Sequence, residues 1–152
     1  MSNKGLFKPR NPQKYVGRLD MIVWRSGMEL QMMSWLDKHP HVLQWASEEI
    51  KISYYLPLDG RWHYYYPDFL VKMKRPNGEE TIIVEIKPSN QVKKPKKPKK
   101  TKNPKIFLNE SFEWEKNQAK WKAATAFAEK NGWTFKIITE VELGLNWKRY
   151  GK

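Results

Sequence analysis

The sequence contains no cysteine, which excludes a disulfide scaffold, a thiol nucleophile and any Cys-ligated zinc or iron–sulfur site. No apolar run approaches the roughly 18 residues that span a bilayer, so an integral membrane protein is not expected. The opening Met1-Ser2-Asn3-Lys4-Gly5 has no apolar stretch behind its charge, so a secretory signal is not expected either. Acidic residues are scarce, with 16 Asp and Glu against 29 Lys and Arg and a net charge of +13. No internal repeat of solenoid or propeller length is visible. With 39% hydrophobic and 14% aromatic residues, 152 residues suffice for one compact core, and 1–152 is read as a single domain.

The positive charge is unevenly placed. Lys93, Lys94, Lys96, Lys97, Lys99, Lys100, Lys102 and Lys105 are interleaved with Pro95, Pro98 and Pro104. Such a run repels itself and buries nothing, so an extended basic loop is expected over residues 89–110. The rest of the chain is also basic, which favours attachment to nucleic acid phosphates over a merely solvated loop. Residues 1–17, polar and carrying Pro9 and Pro12, are expected to form a loose N-terminal arm.

Ser26 followed by Glu29 forms a capping box, and Met28, Met32, Trp35 and Leu36 then mark one helical face that ends at Pro40. Ile50, Ile52, Tyr54 and Leu56 alternate as in a strand, as do Trp62, Tyr64 and Tyr66, with Phe69, Val71 and Met73 continuing after Pro67. Asn77-Gly78 signals a hairpin into the apolar run Thr81–Lys87, which reads as a central strand. Glu113–Lys130 reads as a second helix, residues 133–139 as a strand, and Thr139 with Glu142 as the cap of a short last helix. The expected fold is α/β, a mixed central sheet flanked by helices. The strand aromatics are expected mainly in the core, with Tyr64 or Tyr65 as the alternative for a base-stacking ring.

Glu85 and Lys87 lie two apart on the most apolar strand, so both point to one face. A carboxylate and an ammonium there are costly unless paired or bound to a metal. The hairpin brings Asp68, in Tyr66-Pro67-Asp68-Phe69, to the same edge. Asp68, Glu85 and the Ile86 main-chain carbonyl suit a hard cation such as Mg²⁺. Lys87 beside them would orient or deprotonate the attacking water, so the reaction class is metal-assisted phosphodiester hydrolysis. Lys120 and Lys122 on the second helix are further candidates for phosphate contact. Glu48, Glu49 and His63 are assigned no role.

Pro67-Asp68 with Glu85-Ile86-Lys87 seventeen residues on, and Glu29 on an upstream helix, resembles the PD-(D/E)xK nuclease superfamily. The flanking Arg25–Glu29, Tyr65–Leu70, Val84–Pro88 and Phe135–Glu140 segments are similar to the N-terminal nuclease domain of TnsA proteins. With the opening Met1-Ser2-Asn3 and Ser47–Ile50, they are closer still to the head completion nucleases of T4-like tailed bacteriophages. The resemblance implies a restriction-endonuclease-like core in which Asp68, Glu85 and Glu29 hold Mg²⁺, with Mn²⁺ as a substitute, and Lys87 is catalytic. It implies action on double-stranded DNA in the host cytoplasm or at the virion, finishing a filled head before tail joining. Portal or neck proteins and a second copy of the chain are the partners it suggests. The rival readings are a non-catalytic DNA-binding head–tail connector and an RNA-binding protein.

Overall fold

The computed structural model describes residues 4–96 and 104–144. Its strands are β1 (Gly5–Leu6), β2 (Val23–Trp24), β3 (Val42–Ser47), β4 (Ile52–Leu56), β5 (Arg61–Tyr65), β6 (Phe69–Arg75), β7 (Gly78–Ile86) and β8 (Thr134–Ile138). The long helices are α1 (Gly27–Lys38) and α2 (Pro104–Lys130). Ser26 caps α1 as its sequence requires, its hydroxyl oxygen accepting the Glu29 N–H at 3.1 Å. Thr139 caps a last turn over 140–144 in the same way, with Glu142 reaching back to the Thr139 N–H at 2.8 Å.

The central sheet has the order β3-β6-β7-β8. β6 is antiparallel to β3 and β7, whereas β8 joins β7 in parallel, with α2 making the crossover. Along β7, Ile82, Val84 and Ile86 pack with Met32, Met33 and Leu36 of α1, while Ile83 packs with Trp121, Ala124 and Ala128 of α2. The strand is therefore covered on both faces, and the restriction-endonuclease-like mixed sheet flanked by helices is as expected. β4 and β5 form a separate hairpin that seals the α2 side of the sheet through Ile52, Tyr54, Leu56 and Tyr65.

Several expectations are corrected. Residues 4–15 are not a loose arm. β1 pairs with β2, Tyr15 is buried against Trp45, and the Asp37 carboxylate accepts the Arg10 and Asn11 amides at 2.9 and 3.0 Å. The basic loop is shorter than 89–110, because α2 already starts at Pro104, where a missing N–H costs a helix nothing. Ser89–Gln91 forms a 3-10 turn before it. The β6–β7 hairpin closes on Arg75 and Gly78, so its two loop residues are Pro76 and Asn77 rather than Asn77-Gly78. Gly78 takes φ +136, a value side chains resist.

β3 was not foreseen, and its register slip between Val42 and Gln44 breaks the alternation that marks strands. Trp62, Tyr64 and Tyr66 lie outside the core. The β4–β5 ribbon has one face on the sheet and one in solvent, and these rings are on the open one. Lys97, Lys99, Lys100 and Lys102 lie outside the described residues. Among the described residues, no helix is long and apolar enough to cross a membrane.

Candidate active site

The register Phe69↔Val84 in the β6–β7 ladder sets Asp68, one residue before β6, level with Glu85. Its carboxylate accepts the Ile86 N–H at 2.8 Å. Burial, and next the neighbouring Glu85 carboxylate, push the Asp68 acid well above the ordinary carboxylate range. A backbone donor holds this acid in place.

Two more acids meet Asp68 from the other side. Oxygens of Glu29 on α1, Glu48 after β3, and Asp68 all lie within 4.8 Å of one another. The N-cap engages the Glu29 backbone, and its carboxylate, bonded by the Ser26 hydroxyl and the Arg25 backbone, also reaches this group. Burial raises the Glu29 acid, and the Ser26 hydroxyl offsets part of that rise. Glu48 is the functional candidate that sequence reasoning passed over. It stands at φ +55, the one non-glycine residue with positive φ among those described, and its N–H donates to the Asp68 carbonyl at 3.1 Å. Backbone strain at such a position collects at functional sites. An exposed Arg25 guanidinium donates to its carboxylate at 2.6 Å.

Glu85 is buried on the α2 side of β7, the face it shares with Ile83. The buried Tyr65 hydroxyl lies beside it, and burial followed by the Glu85 charge drives that phenol far upward. On the outer side of the same ring sits Lys120 of α2, its Nζ 5.5 Å from the ring centroid. Burial and then Lys116 lower the Lys120 ammonium, and Glu85 partly restores it. Lys87 leaves the end of β7, its N–H donating to the Ile138 carbonyl at 3.0 Å. Its side chain lines an open cleft of about 530 Å³ with Gln91, Lys93, Glu113, Trp114 and the buried Asn117.

The site therefore consists of four acids from four segments of the chain, with Lys87 in the cleft and Lys120 near Glu85. The clustered oxygens suit a hard divalent cation, which takes carboxylates and keeps several waters. The Ile86 amide is engaged by Asp68, which holds the strand end where its carbonyl would be a further ligand.

Of the other basic candidates, Lys93 lines the cleft beside Lys87, and Lys94 lies over the Trp114 ring at 5.7 Å. Lys105 is in the first turn of α2 and Lys96 ends the described loop. Lys122 is two residues from Lys120 and so on another helical face, near Gln118, Thr125 and Phe135. His63 pairs with Asp59 at 2.7 Å and stacks on Tyr54, away from the acids.

Residues 39–140 match the model of the TnsA-like endonuclease N-terminal family. The chain belongs to this family. Its matched span contains Glu48, Asp68, Glu85, Lys87 and Lys120, while Glu29 on α1 precedes it. The chain is also 39% identical over 142 residues to the head completion nuclease of Enterobacteria phage T4, covering 92% of this chain and 93% of that protein. The family membership agrees with the mixed sheet flanked by helices.

Proposed function

We propose that this protein is a Mg²⁺-dependent deoxyribonuclease that trims or cuts duplex DNA during phage head completion, with Mn²⁺ able to replace Mg²⁺. The observation that carries the reading is Asp68, held by the Ile86 amide between Glu29 and Glu48 on one side and Glu85 on the other. Asp68 and Glu85, with the Ile86 carbonyl, are the cation ligands, and Glu29 completes the set. When bound, the cation neutralises these acids and the charge that develops on the phosphate.

The chain's own groups do the rest. Lys87, at the lip of the cleft, orients a water for attack and holds a non-bridging phosphate oxygen. The water oxygen bonds to phosphorus and gives up a proton to solvent as one P–O ester bond breaks, and the released alkoxide takes up a proton from solvent, so that water is added across the bond. Lys120 supplies a second positive charge near Glu85. Lys93, Lys94, Lys96, Lys97, Lys99, Lys100, Lys102, Lys105 and Lys122 attach the duplex backbone, each neutralised phosphate releasing counterions. The work takes place in the host cytoplasm or at the virion, where portal or neck proteins, and a second copy of the chain, are the expected partners.

The test is cleavage of supercoiled and linear duplex DNA by wild type and Lys87→Ala, each with Mg²⁺ and with EDTA. The reading requires product in the wild-type lane with metal alone. Salt-sensitive binding with no product in any lane would instead make the protein a connector.

A further inference from the structure

The β4–β5 hairpin has two unlike faces. Its inner face closes the core, and Tyr65 on that face reaches Glu85. Its outer face carries Tyr55, Trp62, Tyr64 and Tyr66, which are 46, 71, 62 and 50% exposed. Tyr55 and Trp62 are cross-strand partners with ring centroids 5.6 Å apart, edge to face. Tyr64 pairs with Ser53, and Lys51 lays its ammonium 3.8 Å from the Tyr64 ring centroid.

Leaving a tryptophan this open forgoes much of the burial its area offers, so the exposure calls for an occupant. The face is made of aromatic rings, a serine and a lysine. Leu58, in the turn of the hairpin, is an exposed aliphatic. A protein-docking face would share the tyrosines and tryptophan but is normally depleted in lysine, whereas here Lys51 sits on the Tyr64 ring. Rings with a cation laid on one of them suit bases joined by phosphates, on a chain whose net charge is +13. The row also has a direction, because Tyr66 lies two residues before Asp68, so the rings lead away from the catalytic acids along β5.

We propose that this outer face is a stacking platform for unpaired nucleotides, which holds a single-stranded DNA arm beside the point of cleavage. Trp62 and Tyr64 stack on successive bases, Tyr55 buttresses Trp62, and Lys51 pairs with the intervening phosphate. The platform would let the enzyme favour ends and branches over uninterrupted duplex. It deepens the nuclease reading by naming the structure of the substrate.

The test uses the full chain in EDTA, so that binding is read apart from cleavage. Affinities are measured by fluorescence anisotropy for a thymidine 20-mer, a blunt duplex, and the duplex with a single-stranded arm. Trp62→Ala and Tyr64→Ala are each expected to weaken the 20-mer and armed duplex about tenfold while changing the blunt duplex less than about twofold. Trp62→Phe, which keeps a ring, is expected to restore most of the loss. With Mg²⁺, wild type should cut the armed duplex faster than the blunt one, and Trp62→Ala should remove that preference while still cutting blunt duplex. Equal losses on all three DNAs, or none on any, would overturn the platform. So would unchanged DNA affinities with a shift in oligomeric state, which would make the face a protein contact. A wild type that binds the 20-mer through Trp62 but never yields product would refute the nuclease reading and leave the platform standing.

Discussion

The Asp68 carboxylate accepts the Ile86 amide hydrogen at 2.8 Å, joining the entry of β6 to the exit of β7 within one half-buried cluster of acids. That bond fixes the position of a charge the protein environment resists, since burial and Glu85 both favour the protonated acid. The folded-state value lies above the unfolded one. The stability Asp68 contributes is therefore fully present below the usual carboxylate range and is lost as pH rises through the raised value.

Metal-free wild type should accordingly lose melting temperature more steeply than Asp68→Asn, which keeps an acceptor for Ile86, as pH rises above the usual carboxylate range. At pH 8 in EDTA the variant should melt higher, with relief of ~1 kcal/mol appearing as roughly 2–8 °C. Adding Ca²⁺ or Mg²⁺ should raise the wild-type midpoint and leave Asp68→Asn nearly unmoved. Thermal melts across pH, with and without metal, check both. A variant no more stable than wild type at pH 8 would show that the acids are not in conflict.

Lys87 ties its strand to β8 through its backbone alone, by the 3.0 Å bond to the Ile138 carbonyl. Lys87→Ala should therefore leave the melting curve unchanged and lower cleavage by at least about 100-fold, the usual cost of losing a group positioned against the charge that develops in the transition state. Lys120→Met keeps the apolar stem against Tyr65 and removes only the charge. It should lower kcat/KM about tenfold, whereas Lys122→Met, on a different face of α2, should stay within about twofold. Steady-state cleavage of one labelled duplex separates the three.

Asp37 is buried, and both its oxygens receive backbone amides of the N-terminal segment. The Lys14 ammonium and the Asn11 side-chain amide donate to its carbonyl at 3.0 and 2.9 Å. Asp37→Ala strands two N–H groups and should destabilise the fold by about 2–4 kcal/mol. Chemical denaturation measures it. A change below about 0.5 kcal/mol would return residues 4–15 to the status of a loose arm.

The parts of the fold that were legible in the sequence are those set by local rules. Ser26, the helical spacing of Met28, Met32, Trp35 and Leu36, and Pro40 bracket α1. The apolar run into Glu85-Ile86-Lys87 marks β7, and the hairpin before it brings Asp68 alongside. What was not legible depends on tertiary position. Tyr54-Tyr55 and Tyr64-Tyr65-Tyr66 put the same ring on both faces of a ribbon, so alternation carries no sign of which face is buried. Lys120 and Lys122 look alike until α2 is docked. Glu48 follows a strand whose bulge hides it, and its partners Glu29 and Asp68 are 19 and 20 residues away along the chain.

Glu48 also gives the prediction that most directly separates function from stability. Its φ of +55 suits asparagine better than glutamate, because Asn enters the left-handed region at little cost. The Arg25 partner is exposed, and such a pair contributes about 0–1 kcal/mol. Glu48→Asn should therefore fold as well as wild type or melt slightly higher, since relief of strain offsets loss of the ion pair. If its carboxylate belongs to the cation site with Glu29 and Asp68, the same change should weaken Mn²⁺ binding and lower cleavage by about 10–100-fold, as loss of a supporting ligand group does. Calorimetric Mn²⁺ titration and the duplex assay measure the two sides. Normal metal binding and normal cleavage would mean that Glu48 shapes the turn and nothing more, leaving Glu29, Asp68 and Glu85 as the acids that act.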